Sequence, residues 1–278
     1  MSFVAKRVIG ADYAQNMEEL DTTNIERSRD HIQTLERGIR IMRAFAVVEH
    51  ATVASLAEAV GLARPVVRRV LITLENMGYA QQYRGEWVLT ARVLELGQGY
   101  FSGTSLPEIA QSYLQMIATS TNESCSVSVL DSPDVVHIAR VEVQRIMPYS
   151  MRVGSRLPAH ATAMGKVLLA ALSGAELGSY LAHTELRRFT PTTAVDADDL
   201  RARLAAVREQ GYALSEEELE LGMLAVAVPI RTPDETIGTL SSTSTTVRTT
   251  VEDMVADVVP LLISTADQIG RDYFVSNR

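Results

Sequence analysis

Two short apolar stripes separated by one glycine break set the first constraint on the fold. Thr52 is a good N-cap, and Leu56, Ala57 and Val60 fall on the inner face of the helix it opens. Gly61-Leu62 then interrupts the chain. Another helix starts near Ala63, with Pro65 tolerated in its first turn, where a missing N–H has no partner to lose. Val67, Val70, Leu71 and Leu74 make its stripe, and Gly78 ends it as a C′ residue. Upstream, the pattern turns helical at Ile32, with Leu35, Ile39, Met42 and Ala46 on one face. Downstream, Tyr79–Tyr83 and Glu86–Thr90 flank the turn Arg84-Gly85 and read as a hairpin. Helix, short helix, tight turn, helix, hairpin is the order of a winged helix-turn-helix over residues 31–90.

That order carries a geometric consequence. The second helix of the turn lies in a DNA major groove while the first braces it. Arg64 and Arg68 are spaced i, i+4 and project from one side of that helix, and Arg69 stands beside them. An arginine there can read guanine bidentately or clamp a phosphate. Arg64, Pro65, Arg68, Arg69 and Thr73, with Arg84 at the hairpin tip, are the candidate contacts to double-stranded operator DNA. The competing reading is a solvated arginine face on an ordinary three-helix unit. The net charge of −8 argues against a nucleic-acid partner only as a total. Eight arginines stand against seven acids between Asp30 and Glu95, so the acidic excess lies elsewhere in the chain.

Residues 1–30 show no sustained period and read as an arm. They lack the apolar core of a signal peptide, so none is expected. No run of 18 apolar residues exists, so no membrane contact is expected. The single cysteine, Cys125, fits a reducing cytosol and a cytoplasmic protein. Ala91–Phe101 reads as an amphipathic linker helix, with glycines 97, 99 and 103 making a joint to residue 105. Residues 106–278 form a second domain. A helix (Leu106–Ser120) leads to SCSVSVLD, where Cys125, Val127 and Val129 alternate with serines. VVHIARVE is the next strand, and Ile146–Val153 a third. Ser173 to Glu176 is a capping box. Asp196–Gln210 is a helix stopped by Gly211. AVAVPIR and TIGTLSST are strands, and Val251–Arg271 is a final helix kinked at Pro260. The expected fold class is α+β around an antiparallel sheet.

Chemistry-bearing motifs are sparse. There is no GxSxG elbow, HExxH helix, P-loop, GxGxxG or SxxK. The five histidines are isolated, so neither a metal nor a cofactor is expected, and neither is catalysis. In RVGSRLPAHATAMGKVLL the small residues Ala161, Thr162, Ala163 and Gly165 crowd a helix start. Uncovered amides there make an anion site; a tight turn that needs small residues for packing explains them equally well. In GYALSEEELELGMLAVAVP, acids at 216, 217, 218 and 220 read as a solvated loop or a pocket rim. In TLSSTSTT the hydroxyls of Ser241, Thr243 and Thr245 share one face.

Taken in order, SLAEAVGLARPVVRRVLITLENMGY, RVGSRLPAHATAMGKVLLA, GYALSEEELELGMLAVAVPI and GTLSSTST resemble the isocitrate-lyase-regulator (IclR) family of bacterial transcription factors. The resemblance covers the chain from about Ile32 onward. It implies a winged helix joined by a linker helix to a GAF/PAS-like effector domain, acting as a homodimer or a dimer of dimers. TLERGIRIMRAF, LTARVLELGQGYFSGTSLPEIAQ, SVSVLDSPDVVHIARV and RIMPYSMRVGSRLPAHATAMGKVLLAAL carry a closer likeness to the β-ketoadipate-pathway (PcaR/PobR-like) regulators. That likeness implies control of protocatechuate or 4-hydroxybenzoate catabolism through a small organic-acid effector. The alternative is another carbon-source pathway with a different small acid.

By the same resemblance, the effector site maps onto the amides of Ala163 and Met164, with Gly165, and onto Ser241 and Thr243. Members binding glyoxylate-like acids place an aspartate and a cysteine where this chain has Ser215 and Ala225, which leaves room for a larger, less polar ligand. His137, Arg140 and Arg145 could meet a carboxylate, though ordinary surface roles suit each singly.

Overall fold

The computed structural model describes residues 30–101, 105–143 and 151–277. The expected arm and Arg145 lie outside these residues, as does most of the expected strand Ile146–Val153. The chain divides into two compact units between Tyr100 and Phe101.

The first unit contains α1 (Gln33–Ala44), α2 (Val53–Val60), α3 (Arg64–Asn76), β1 (Ala80–Tyr83) and β2 (Glu86–Leu89). Thr52 caps α2 in a capping box with Ser55, and Gly61 ends it in the left-handed region at φ 63°. β1 and β2 pair antiparallel from Ala80↔Leu89 to Tyr83↔Glu86. The turn between them holds Arg84 and Gly85, both at positive φ, as a two-residue hairpin with matching twist requires. Leu56, Ala57, Val60, Val67, Leu71 and Leu74 pack with Ile41, Ala44 and Trp87 in one core. On α1 the core face is therefore Ile41 and Ala44; Leu35 and Ile39 point outward at 60% and 51% exposure. The expected linker helix is a 3₁₀ segment, Ala91–Gly97, followed by one helical turn, Gln98–Phe101. A three-residue period cannot keep Leu94 and Leu96 on the stripe an α-helix would give them, and both are exposed.

The second unit is α+β, as expected. Its elements are α4 (Leu106–Thr121), β3 (Ser124–Asp131), β4 (Asp134–Val141), β5 (Arg156–Pro158), α5 (Ala163–Ala171), α6 (Gly174–His183), α7 (Ala197–Gln210), β6 (Ala213–Glu216), β7 (Met223–Arg231), β8 (Thr236–Thr245) and α8 (Val259–Ser276). The strands form one antiparallel sheet in the order β5-β4-β3-β8-β7-β6. The third strand described is Arg156–Pro158; of the expected strand Ile146–Val153 only residues 151–153 are described, and they are not in a strand. One face packs on α4 and α8 through Cys125, Val127, Val226, Leu240, Leu262 and Ile269. The other packs on α5, α6 and α7 through Val135, Leu168, Leu177, Leu200, Leu204 and Ala227. The last helix opens with a turn, Val251–Asp253, and a π segment, Met254–Val258. The π register is where the chain absorbs the missing amide and ring clash of Pro260.

Gly270 fixes how closely α8 approaches β7. A Cβ there would stand 2.0 Å from the carbonyl oxygen of Arg231. Gly270→Ala therefore forces helix and strand apart. We expect a loss of about 1–3 kcal/mol, the usual cost of overpacking, measured by chemical denaturation; an unchanged midpoint and slope contradict the close approach.

Candidate functional site

The arginine surface is built by the local helix chemistry. Ala63 opens α3 without a side-chain cap, and Pro65 sits in its first turn. Arg64, Pro65, Arg68, Arg69, Thr73 and Arg84 are all exposed. Arg84 stands over the Tyr83 ring at 5.1 Å. The Thr73 hydroxyl is turned back onto the Arg69 carbonyl at 2.9 Å. Four of the six lie on two flanks of α3. Arg69 and Thr73 border an apolar groove of about 730 Å³ that Leu35, Ile39 and Met42 of α1 and Leu96 also line. Arg64 and Arg68 project from the opposite flank, given the helical period.

In the second unit, strand pairing brings the remaining candidates together. Three rows of side chains cross the sheet on the face toward α5. One runs Ser215, Ala225, Thr243, Ser124; the next Ala227, Ser241, Ser126, Arg140; the third Pro229, Thr239, Ser128, His137. Ser215 and Ala225 are thus register partners on β6 and β7. A bulge in the β3–β4 pairing at Val127/Ser128 puts His137 and Arg140, three residues apart, on one face. A regular strand would have set them on opposite faces.

α5 lies over these rows. Thr162 caps it by accepting from the Gly165 amide at 3.1 Å, which leaves the amides of Ala163 and Met164 without intrahelical acceptors. Gly165 itself is there for packing: a Cβ would meet the Ala159 carbonyl oxygen at 2.0 Å. Met164 reaches the sheet, where the Ser128 hydroxyl donates to its sulfur at 3.3 Å. Most hydroxyls of this face are satisfied locally. Ser126 and Ser241 bond each other at 3.1 Å, Thr239 donates to the Val228 carbonyl at 2.9 Å, and Ser215 donates to the Ala161 carbonyl at 3.3 Å.

The acidic segment is not a simple solvated loop. Glu218 is buried and pairs with Lys166 of α5 through one oxygen and with Arg203 of α7 through the other, the latter at 3.0 Å. Thr193 donates to its carbonyl at 2.6 Å. Burial pushes the Lys166 ammonium below its ordinary pKa while Glu218 opposes that shift. Sequence spacing gave no sign of this clamp, since 52 residues separate its ends.

Two groups on the α5 face stay unsatisfied among the described residues, Nε2 of His137 and Nε of Arg140. The sequence offers both as groups that could meet a carboxylate, with ordinary surface roles suiting each singly. His137 is instead 1% exposed, with Nδ1 held 2.9 Å from the Ser128 hydroxyl. Burial first, and Arg140 second, bring its pKa from 6.5 down to about 4. Between those values the unfolded chain takes up a proton that the folded one refuses, so stability falls as pH drops through that window. We expect this histidine to account for about 3 kcal/mol of the loss between pH 6.5 and 4. His137→Phe should flatten the pH dependence of denaturation there; parallel curves for both proteins would contradict it.

Residues 34–84 match the IclR helix-turn-helix domain, and residues 98–271 match the bacterial transcriptional regulator IclR C-terminal family. The p-hydroxybenzoate hydroxylase transcriptional activator of Acinetobacter baylyi is 37% identical over 250 residues, covering 87% of this chain and 92% of that one. A putative transcriptional regulator from Rhodococcus sp. RHA1 superposes with a TM-score of 0.78 at 40% identity, covering 88% of this chain and 99% of that one. The inducer-binding domain of a PobR double mutant from Acinetobacter, in complex with 3-hydroxybenzoic acid, superposes with a TM-score of 0.57 at 39% identity, covering 60% of this chain and 98% of that domain. With both domain families matched in order and a relative above one-third identity spanning nearly all of it, the chain belongs to the IclR family of bacterial transcriptional regulators.

Proposed function

We propose that this protein is a one-component, cytoplasmic regulator of aromatic-acid catabolism whose DNA affinity is set by a hydroxylated aromatic acid. It works by binding and carries no catalytic residues. The winged helix of residues 31–90 engages operator DNA through Arg64, Arg68 and Arg84, with Pro65 shaping the helix start and Arg69 and Thr73 at the groove edge. A second copy of the chain covers the apolar groove between α1 and α3, giving a homodimer or a dimer of dimers. Two winged helices then face the two halves of an operator.

The effector acid lies between α5 and the three polar rows. Its carboxylate meets Arg140 and the amides of Ala163 and Met164, where the helix dipole favours an anion. Its ring lies over the second and third rows beside Ser126 and Ser241, while Ala225, Thr243 and Ser215 form the wall farther along the same face and Gly165 lets α5 close over it. The observation that carries this reading is the half-buried Arg140, with Nε unpaired among the described residues. The Ala91–Phe101 segment passes the change to the winged helix. An effector shifts DNA affinity only by its differential affinity for two arrangements, typically by 1–3 kcal/mol.

Two measurements test this. Arg68→Ala should weaken operator binding by about 1–3 kcal/mol with unchanged folding, on a protein that sediments as a dimer or larger; unchanged affinity removes the groove assignment. Titration with 4-hydroxybenzoate and protocatechuate should release heat, and Arg140→Gln should weaken both by about 2–5 kcal/mol, as for a truncated buried charge pair. An absence of heat from either acid rejects the effector site.

A further inference from the structure

The three polar rows satisfy most of their own hydroxyls, and the exception defines a direction. The Ser128 hydroxyl has one proton and two acceptors in reach, the sulfur of Met164 at 3.3 Å and Nδ1 of His137 at 2.9 Å. Given to the sulfur, the proton leaves Nδ1–H as donor and Nε2 as an acceptor; given to the imidazole, it leaves Nε2–H as a donor. In either tautomer Nε2 is buried and finds no partner among the described residues. The ring is uncharged at neutral pH because burial disfavours its cation. A buried polar atom left unmet costs the full price of its desolvation, so a hydroxyl that arrives with a ligand, able both to donate and to accept, gains correspondingly.

The rows locate that hydroxyl. His137 lies one row from Arg140 on the same face. Neighbouring rows on one face of a sheet stand about 7 Å apart, which suits one benzene ring carrying a polar group at each end. A carboxylate at Arg140 therefore leaves a ring hydroxyl in reach of the imidazole.

We propose that His137 is the specificity-determining residue of the effector site, its Nε2 hydrogen-bonding to the ring hydroxyl of a hydroxylated benzoic acid. The proposal rests on the effector site described above. His137 makes no contribution to holding the carboxylate; it separates hydroxylated from unhydroxylated acids, because an acid without the hydroxyl leaves the buried nitrogen stranded.

The test uses the full chain and calorimetry with matched pairs, 4-hydroxybenzoate against 4-fluorobenzoate and 3-hydroxybenzoate against 3-fluorobenzoate. Fluorine fills nearly the same space, cannot donate and accepts poorly. For the wild type we expect one hydroxy acid to bind about 10- to 100-fold tighter than its fluoro partner. In His137→Phe that ratio should fall to about one, while the fluoro acid binds at least as well as before. Arg140→Gln should weaken both members of a pair equally, leaving the ratio intact. A wild-type ratio near one in both pairs, with all acids binding, overturns the role of His137 and spares the effector site. So does a His137→Phe protein that keeps the wild-type ratio. If no acid of either pair binds the wild type, both readings fall together. The wild-type comparison needs no variant, so it decides the question even where His137→Phe fails to fold.

Discussion

Both faces of the six-stranded sheet are covered by helices, and only one of them is uniformly apolar. That imbalance organises the second unit. Under α4 and α8 the sheet offers Val127, Val226, Val228 and Leu240 to a dry core. Under α5 it offers serines, threonines, an arginine and a histidine interleaved with Val135, Ala225 and Ala227. Covering such a face is unfavourable unless each polar group finds a partner. The sheet meets most of the demand internally, by pairing Ser126 with Ser241 and Ser128 with His137. What remains is the small set of groups that the helix above cannot reach. A binding site here is the unsatisfied remainder of a polar face, placed by strand register more than by any loop.

The same covering explains the rigidity around that face. α5 can approach the sheet only because Gly165 lets it close on Ala159. It is then held laterally by Lys166, whose charge is buried with Glu218 and shared through it with Arg203. A buried charge left alone is strongly unfavourable, so the three groups must be ordered together. Thr190 and Thr193 fasten the backbone of the same segment from the opposite side. α5, the acidic segment and the start of α7 therefore form one body. In the proposed effector site, an acid seated at the start of α5 acts on that body, not on a single helix.

Much of this was legible in the sequence where local chemistry decides the outcome. The cap at Thr52, the left-handed Gly61 and the Arg84-Gly85 turn were readable because each depends on one or two residues. The alternation of Cys125 and Val127 with serines gave β3 and both of its faces. Where the outcome depends on a partner distant in sequence, the reading failed. His137 and Arg140 look like residues on opposite faces until the bulge at Val127/Ser128 is known. Glu218 looks like one acid of a solvated run until Lys166 is placed beneath it. The stripe of Leu35 and Ile39 marks a face of α1 but does not say what covers it, and within the first unit it is outside the core.

The distribution of charge limits how the two units can divide the work. The arginines that can meet phosphate cluster on α3 and the hairpin of a unit that is close to neutral. The acidic excess lies in the unit that carries the effector face. Non-specific attraction to DNA scales with the phosphates neutralised and weakens steeply with salt. A chain of net charge −8 has little of it to spare. Discrimination must then come from base edges read by a few side chains on α3, and those contacts tolerate little misplacement. A sensor coupled to such a reader needs only a small displacement to change occupancy, because no broad electrostatic hold compensates for lost register. In the proposed reading, the acidic second unit makes the arginine face more responsive to an acid bound beneath α5.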